Sequence, residues 1–118
     1  METGLLRSLM SFAAHRARKR FGQHWLKDQS VLDQILRAAE LTAADTVLEV
    51  GPGRGALTER LLESAARGVH AVELDRDLVA GLQERFGANP RFALTEGDVL
   101  AVDLPAATAV VANIPYNI

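Results

Sequence analysis

Glu73, Asp98 and Asn113 have side chains and settings suited to a nucleoside and a flat base. Glu73 ends the apolar run Val69–Leu74, 22 residues after Gly51, where an acid can accept hydrogen bonds from both ribose hydroxyls of a nucleoside. An unpartnered carboxylate inside a strand end is costly, which favours a ligand role for Glu73. Asp98 follows Gly97 at the end of a later apolar run. Its carboxylate can accept from an adenine amino group while the neighbouring backbone amide of Val99 meets a ring nitrogen. Asn113-Ile114-Pro115-Tyr116 follows the apolar run Ala109–Ala112. There a carboxamide offers donors and an acceptor in one plane, a proline stiffens the turn and a phenol ring gives a stacking face. A fourth signal is Gly51-Pro52-Gly53-Arg54-Gly55, whose glycines allow close backbone approach of a ligand. Its G-x-G-x-G spacing departs from the dinucleotide pattern G-x-G-x-x-G, whose third glycine would fall at Ala56. Each signal also has a purely structural reading: a tight turn for the glycines, a helix N-cap for Asp75 or Asp77, an Asx-turn for Asp98 and an ordinary loop for 113–116.

Positioning these groups requires strands that end at one edge. Val31, Leu32, Ile35, Leu36 and Ala39 share a helical face, and Ser30 with Asp33 has capping-box spacing, which predicts a helix over about 30–40. A strand is expected near 46–50, then a helix through Leu57, Leu61 and Leu62 ending near Gly68. A second strand at 69–74 precedes a helix with Leu78, Val79 and Leu82, stopped by Gly87-Ala88-Asn89-Pro90. Third and fourth strands are expected near 91–95 and 107–112. Such alternation reads as α/β, a parallel Rossmann-like sheet with covering helices of which about four strands are present. The strand-tip signals then lie together at the carboxyl edge, where open α/β sheets bind ligands, and their joint occurrence is far more specific than any one alone.

Composition narrows the classes. Absence of cysteine removes disulfides and thiolate-zinc sites, and His15, His24 and His70 lack ligand spacing, so no metal is expected. No apolar run approaches the ~18 residues of a membrane span. The net charge of −2 conceals a split: residues 1–27 carry six basic side chains against Glu2 alone, net +5, while 28–118 carry seven basic and fourteen acidic, net −7. A basic arm on an acidic body fits a polyanion partner at one edge, or equally a solvated Arg-rich helix end. Met1–Ala14 is amphipathic with Arg7 interrupting it; a frayed helix is the default reading and an organellar transit segment the alternative to a cytoplasmic location.

Taken together, the signals resemble class I S-adenosylmethionine-dependent methyltransferases that act on amino nitrogens. Arg18-Lys19-Arg20-Phe21-Gly22-Gln23-His24-Trp25-Leu26, then Asp28, GPGRGALT, ELDRD, GDVL and NIPYNI, is similar in order and spacing to the KsgA-type family over about 16–118. Those enzymes dimethylate adenine N6 in small-subunit (16S-type) ribosomal RNA. The resemblance implies S-adenosyl-L-methionine as cofactor, covered by Gln23, His24 and Leu26. Gly51, with Gly53 and Gly55 in the turn, would approach its methionine part, Glu73 its ribose, and Asp98 with Val99 its adenine. Asn113 would lie between cofactor and target. Many relatives have asparagine and phenylalanine where this chain has His24 and Trp25; an imidazole still donates or accepts, and Trp25 reads as core.

The implied catalytic residues are Asn113, Ile114, Pro115 and Tyr116. The Asn113 side-chain oxygen and the Ile114 carbonyl would accept from the N6 hydrogens, and Tyr116 would stack the splayed base. Arg16, Arg18, Lys19 and Arg20 would meet RNA phosphates. Family sheets usually have seven strands followed by a small helical RNA-binding domain. The chain therefore reads as an N-terminal fragment: a basic arm and cofactor-covering segment (1–27) and a partial cofactor-binding domain (28–118), without the C-terminal helical domain. The full-length protein is expected to be a monomer, and the 118 residues alone weak or inactive. Rival readings are a large-subunit RNA or DNA adenine methyltransferase, and a non-catalytic RNA-binding assembly or transcription factor on the same fold.

Overall fold

Short β-branched runs separated by amphipathic helical repeats build a four-stranded parallel sheet. The computed structural model describes residues 29–112, which form α1 (Gln29–Ala39), β1 (Thr46–Val50), α2 (Ala56–Glu63), β2 (Gly68–Glu73), α3 (Arg76–Phe86), β3 (Phe92–Glu96) and β4 (Ala109–Ala112). The strand order is β3-β2-β1-β4. In register, Val50 stands beside Val72 and Ala112, and Glu73 beside Glu96. All four strands therefore deliver their carboxyl ends to one edge.

The apolar faces predicted from periodicity form one core. Val31, Leu32, Ile35 and Ala39 of α1 meet Leu57, Leu61 and Leu62 of α2, Leu82 and Phe86 of α3, and Val47, Val69, Ala109 and Val111 of the sheet. Burying each such leucine contributes about 1.5–3 kcal/mol, which outweighs the weak propensity of so short a helix as α2.

Element ends differ from the sequence reading where side chains intervene. The first helix is described from Gln29, and Asp33 within it pairs with Arg60 of α2. The second helix stops at Glu63, well before Gly68, because the Ser64 hydroxyl donates to the Leu61 carbonyl at 2.6 Å and the chain turns extended there. Arg91 then takes up carbonyls that a helix end leaves bare: Leu62 at 2.8 Å, Ser64 at 3.0 Å and Ala66 at 2.6 Å. The fourth strand begins at Ala109. Thr108 before it is spent on anchoring, its hydroxyl donating to Asp45 at 2.7 Å and its amide to the Thr46 carbonyl at 2.9 Å. That bond to Thr108, with the Thr42 amide behind it, holds the Asp45 carboxyl below the usual aspartate range.

Candidate functional site

The glycine turn after β1 is fixed from three directions. Gly51, Gly53 and Gly55 all have positive φ, +70°, +62° and +94°. The Gly51 amide donates to the Val72 carbonyl at 2.9 Å, which lays the start of the turn against β2. The Gly53 amide donates to Glu73 Oε1 at 3.1 Å. Gly55 lies on the far side, as the N-cap of α2. A Cβ there would come within 2.6 Å of a Phe86 ring carbon, so this glycine serves the packing of α2 on α3 and does not line the cleft.

Glu73 is almost fully buried, yet it is not unpartnered as its strand position implied. Oε1 accepts from Gly53 and Oε2 from the Asp75 amide at 3.0 Å. Two backbone donors aim the carboxylate without saturating it, since a carboxylate has about four acceptor positions. Asp75 is the N-cap of α3, its side chain accepting from the amides of Asp77 and Leu78. Asp77 thus lies inside the first turn and has no cap role. Asp98 Oδ1 accepts from the Leu100 amide at 2.9 Å, the Asx-turn that its spacing allowed. Its second oxygen has no hydrogen-bond partner among the described residues, and the side chain is exposed.

These groups line one cleft of about 690 Å³ along the carboxyl edge, where Gly51, Glu73, Asp98 and Val99 meet. The Gly97 amide, donating to the Glu73 carbonyl at 2.9 Å, brings the β3 loop beside β2. Sequence reasoning passed over Leu74, Leu78 and Leu100, which supply apolar walls. Leu74 is 69% and Leu100 91% exposed, and each directly follows or closely trails a predicted ligand-binding acid, which was the available signal. The cleft therefore offers carboxylates at two successive strand tips, flanked by apolar surface. Gln23, His24, Leu26, the basic set Arg16, Arg18, Lys19 and Arg20, and the run Asn113, Ile114, Pro115 and Tyr116 lie outside the described residues. β4 nevertheless ends at Ala112, in register with Val50, so the strand preceding Asn113 reaches the same edge as the glycine turn.

Among the described residues no helix is long and apolar enough to cross a membrane, and no group of three or more His, Cys, Asp or Glu side chains could hold a metal ion. His70 contacts the Thr95 hydroxyl at 2.7 Å across β2 and β3, and burial lowers its pKa.

Strand order, glycine turn and acidic strand tips define a Rossmann-like α/β domain of the class I methyltransferase type. A family model described as ribosomal RNA adenine dimethylase matches residues 14–118, nearly the whole sequence, and the chain belongs to that family. Ribosomal RNA small subunit methyltransferase A of Synechococcus sp. (strain WH7803) is 71% identical over 114 residues, taking in 92% of this chain and 41% of the relative. The chain spans about two fifths of the length of the curated relatives it matches. Among solved structures, the 23S rRNA methyltransferase ErmE is 35% identical with a TM-score of 0.70, covering 80% of this chain and 38% of that one. An RNA methyltransferase from Salinibacter ruber in complex with S-adenosyl-L-homocysteine is 25% identical with a TM-score of 0.61, covering 70% of this chain and 56% of that one.

Proposed function

We propose that this chain carries the S-adenosylmethionine-binding part, and the catalytic Asn-Ile-Pro-Tyr motif, of an enzyme that dimethylates adenine N6 in small-subunit ribosomal RNA. The observation that carries the reading is Glu73: a buried carboxylate, aimed by two backbone amides, with acceptor positions to spare at the wall of a nucleoside-sized cleft. Gly53, whose amide aims Glu73, borders a smaller hollow of about 160 Å³ with Arg54, Asp77 and Leu78, and a Cβ added there would meet no atom within 4 Å. Glu73 binds the ribose hydroxyls, Asp98 and the Val99 amide bind the adenine between Leu74, Leu78 and Leu100, and Gly51 and Gly53 lie along the methionine part, with Gln23, His24 and Leu26 covering it.

When bound, S-adenosylmethionine supplies an electrophilic methyl on a sulfonium. The chain's own part is to orient and to shed charge. Asn113 and the Ile114 carbonyl accept from the adenine N6 hydrogens and stabilise the positive charge that develops on nitrogen, Pro115 stiffens the loop, and Tyr116 stacks the base. No strong base is needed, because the proton leaves only after the nitrogen has become cationic. Arg16, Arg18, Lys19 and Arg20 bring phosphates to the same edge. We infer a cytoplasmic enzyme, monomeric when complete, whose substrate is the small subunit. The 71% identity to a small-subunit methyltransferase favours this target.

The test is to install this chain in place of the matching 114 residues of the Synechococcus relative and supply unmethylated ribosomal subunits with tritiated S-adenosylmethionine. Label in small-subunit adenines, abolished by Asn113→Ala, is the expected result. A folded, cofactor-binding graft that labels only large subunits, or retains activity after Asn113→Ala, contradicts the reading.

A further inference from the structure

Glu49 is a carboxyl group in the middle of an apolar strand, and the cleft does not use it. It is 1% exposed, and its partner Thr58 is fully buried. The Thr58 hydroxyl donates to Glu49 Oε1 at 2.6 Å, while Oε2 has no hydrogen-bond partner among the described residues. Beside it in register stand Ala71 of β2 and Val111 of β4, neither with a side-chain donor. An ionised carboxylate with one donor is far more unfavourable in such surroundings than a neutral acid. Burial pushes the Glu49 carboxyl up to about 7, the Thr58 bond opposing and the Glu73 charge adding to the rise.

Of the other ionisable groups on the packed elements, Glu73 of β2 is the one that acts on Glu49, Glu63 at the end of α2 is exposed, and the rest have partners elsewhere. His70 of β2 meets Thr95, Glu59 of α2 pairs with Arg85, and Arg60 of α2 pairs with Asp33 of α1; β4 carries no ionisable group. Glu49 and Thr58 bracket the glycine turn in sequence, one the penultimate residue of β1 and the other in the first turn of α2. Their hydrogen bond ties the two sides of the turn together underneath, as the Gly53 to Glu73 bond fixes its crest.

We propose that Glu49 is a positioning residue for the cofactor: as a neutral acid it ties β1 to α2 through Thr58, so that the glycine turn between them keeps the shape that receives the ligand. The proposal deepens the cofactor reading above and rests on it. Ionisation puts a second negative charge behind Glu73 and loosens the turn, so affinity declines as pH rises through about 7.

The test is calorimetric titration of the 118-residue chain with S-adenosylhomocysteine, for wild type and Glu49→Gln, between pH about 6 and about 8.5. Glutamine keeps the shape and cannot ionise; the ligand's own amino group titrates equally in both. Wild-type affinity is expected to fall at least about threefold more than that of Glu49→Gln across this range. Parallel curves overturn the proposal alone. No binding by wild type at any pH overturns the cofactor reading and takes the ligand part of the proposal with it. The proton itself is read without ligand from the carboxyl ¹³C shift of Glu49 in wild type, which also serves if the glutamine variant does not fold. A midpoint near 7 supports the neutral acid, and one in the ordinary glutamate range overturns it.

Discussion

Two carboxylates on adjacent strands, Glu49 opposite Ala71 and Glu73 two residues further along β2, have opposite tasks, and their surroundings decide which. Glu73 accepts two backbone amides and faces the cleft; Glu49 has one hydroxyl donor and faces the core. Glu73→Gln exchanges a charged acceptor for an amide, which presents an NH₂ to one of two donors. We expect S-adenosylhomocysteine affinity to fall by at least about tenfold, the scale of one charge-assisted hydrogen bond, as read by calorimetry. For Glu49 the carboxyl is raised in the folded chain from 4.5 to about 7. The stability that goes with its protonated form is fully present below the unfolded value and is lost as pH rises through the folded one. Relative to Glu49→Gln, wild type should lose roughly 3 kcal/mol between those limits in urea unfolding. A pH-independent difference would contradict the assignment. Glu73 and Asp98 were legible as ligand-binding candidates because each ends an apolar run next to a turn. Glu49 was not, since a lone acid inside Val47-Leu48-Glu49-Val50 does not show which way it points or what meets it.

At the scale of elements, periodicity located every helix and strand between 29 and 112, and the errors fall at ends set by side chains distant in sequence. Ser64 and Arg91 stop α2 early; nothing local to Leu62–Ala66 announces an arginine 25 residues on. Likewise the three glycines look equivalent in sequence, and only packing separates them. Gly53 has a positive φ but open space, so Gly53→Ala should cost about 1 kcal/mol from the backbone alone. Gly55 combines a positive φ with the Phe86 ring at 2.6 Å from an added Cβ. Gly55→Ala should therefore cost roughly 2–4 kcal/mol, strain and overpacking together, and loosen α2 on α3. Thermal or urea unfolding of the pair checks the order; equal losses would mean that the Phe86 contact relaxes freely.

On the scale of the whole molecule, the parallel register gathers separate sequence motifs at one edge, and that convergence is what a nucleoside-binding reading requires. The family match extends it to an adenine methyltransferase lineage, while the chain covers 41% of its Synechococcus relative. The central claim is that the cleft at the tips of β1, β2 and β3 receives the cofactor. Amide NMR of the chain titrated with S-adenosylhomocysteine tests it most directly. Shifts should concentrate at Gly51, Gly53, Leu74 and Gly97–Leu100. Perturbation centred on the opposite edge, at Thr46, Gly68 and Ala106, or no perturbation at saturating ligand, would contradict it.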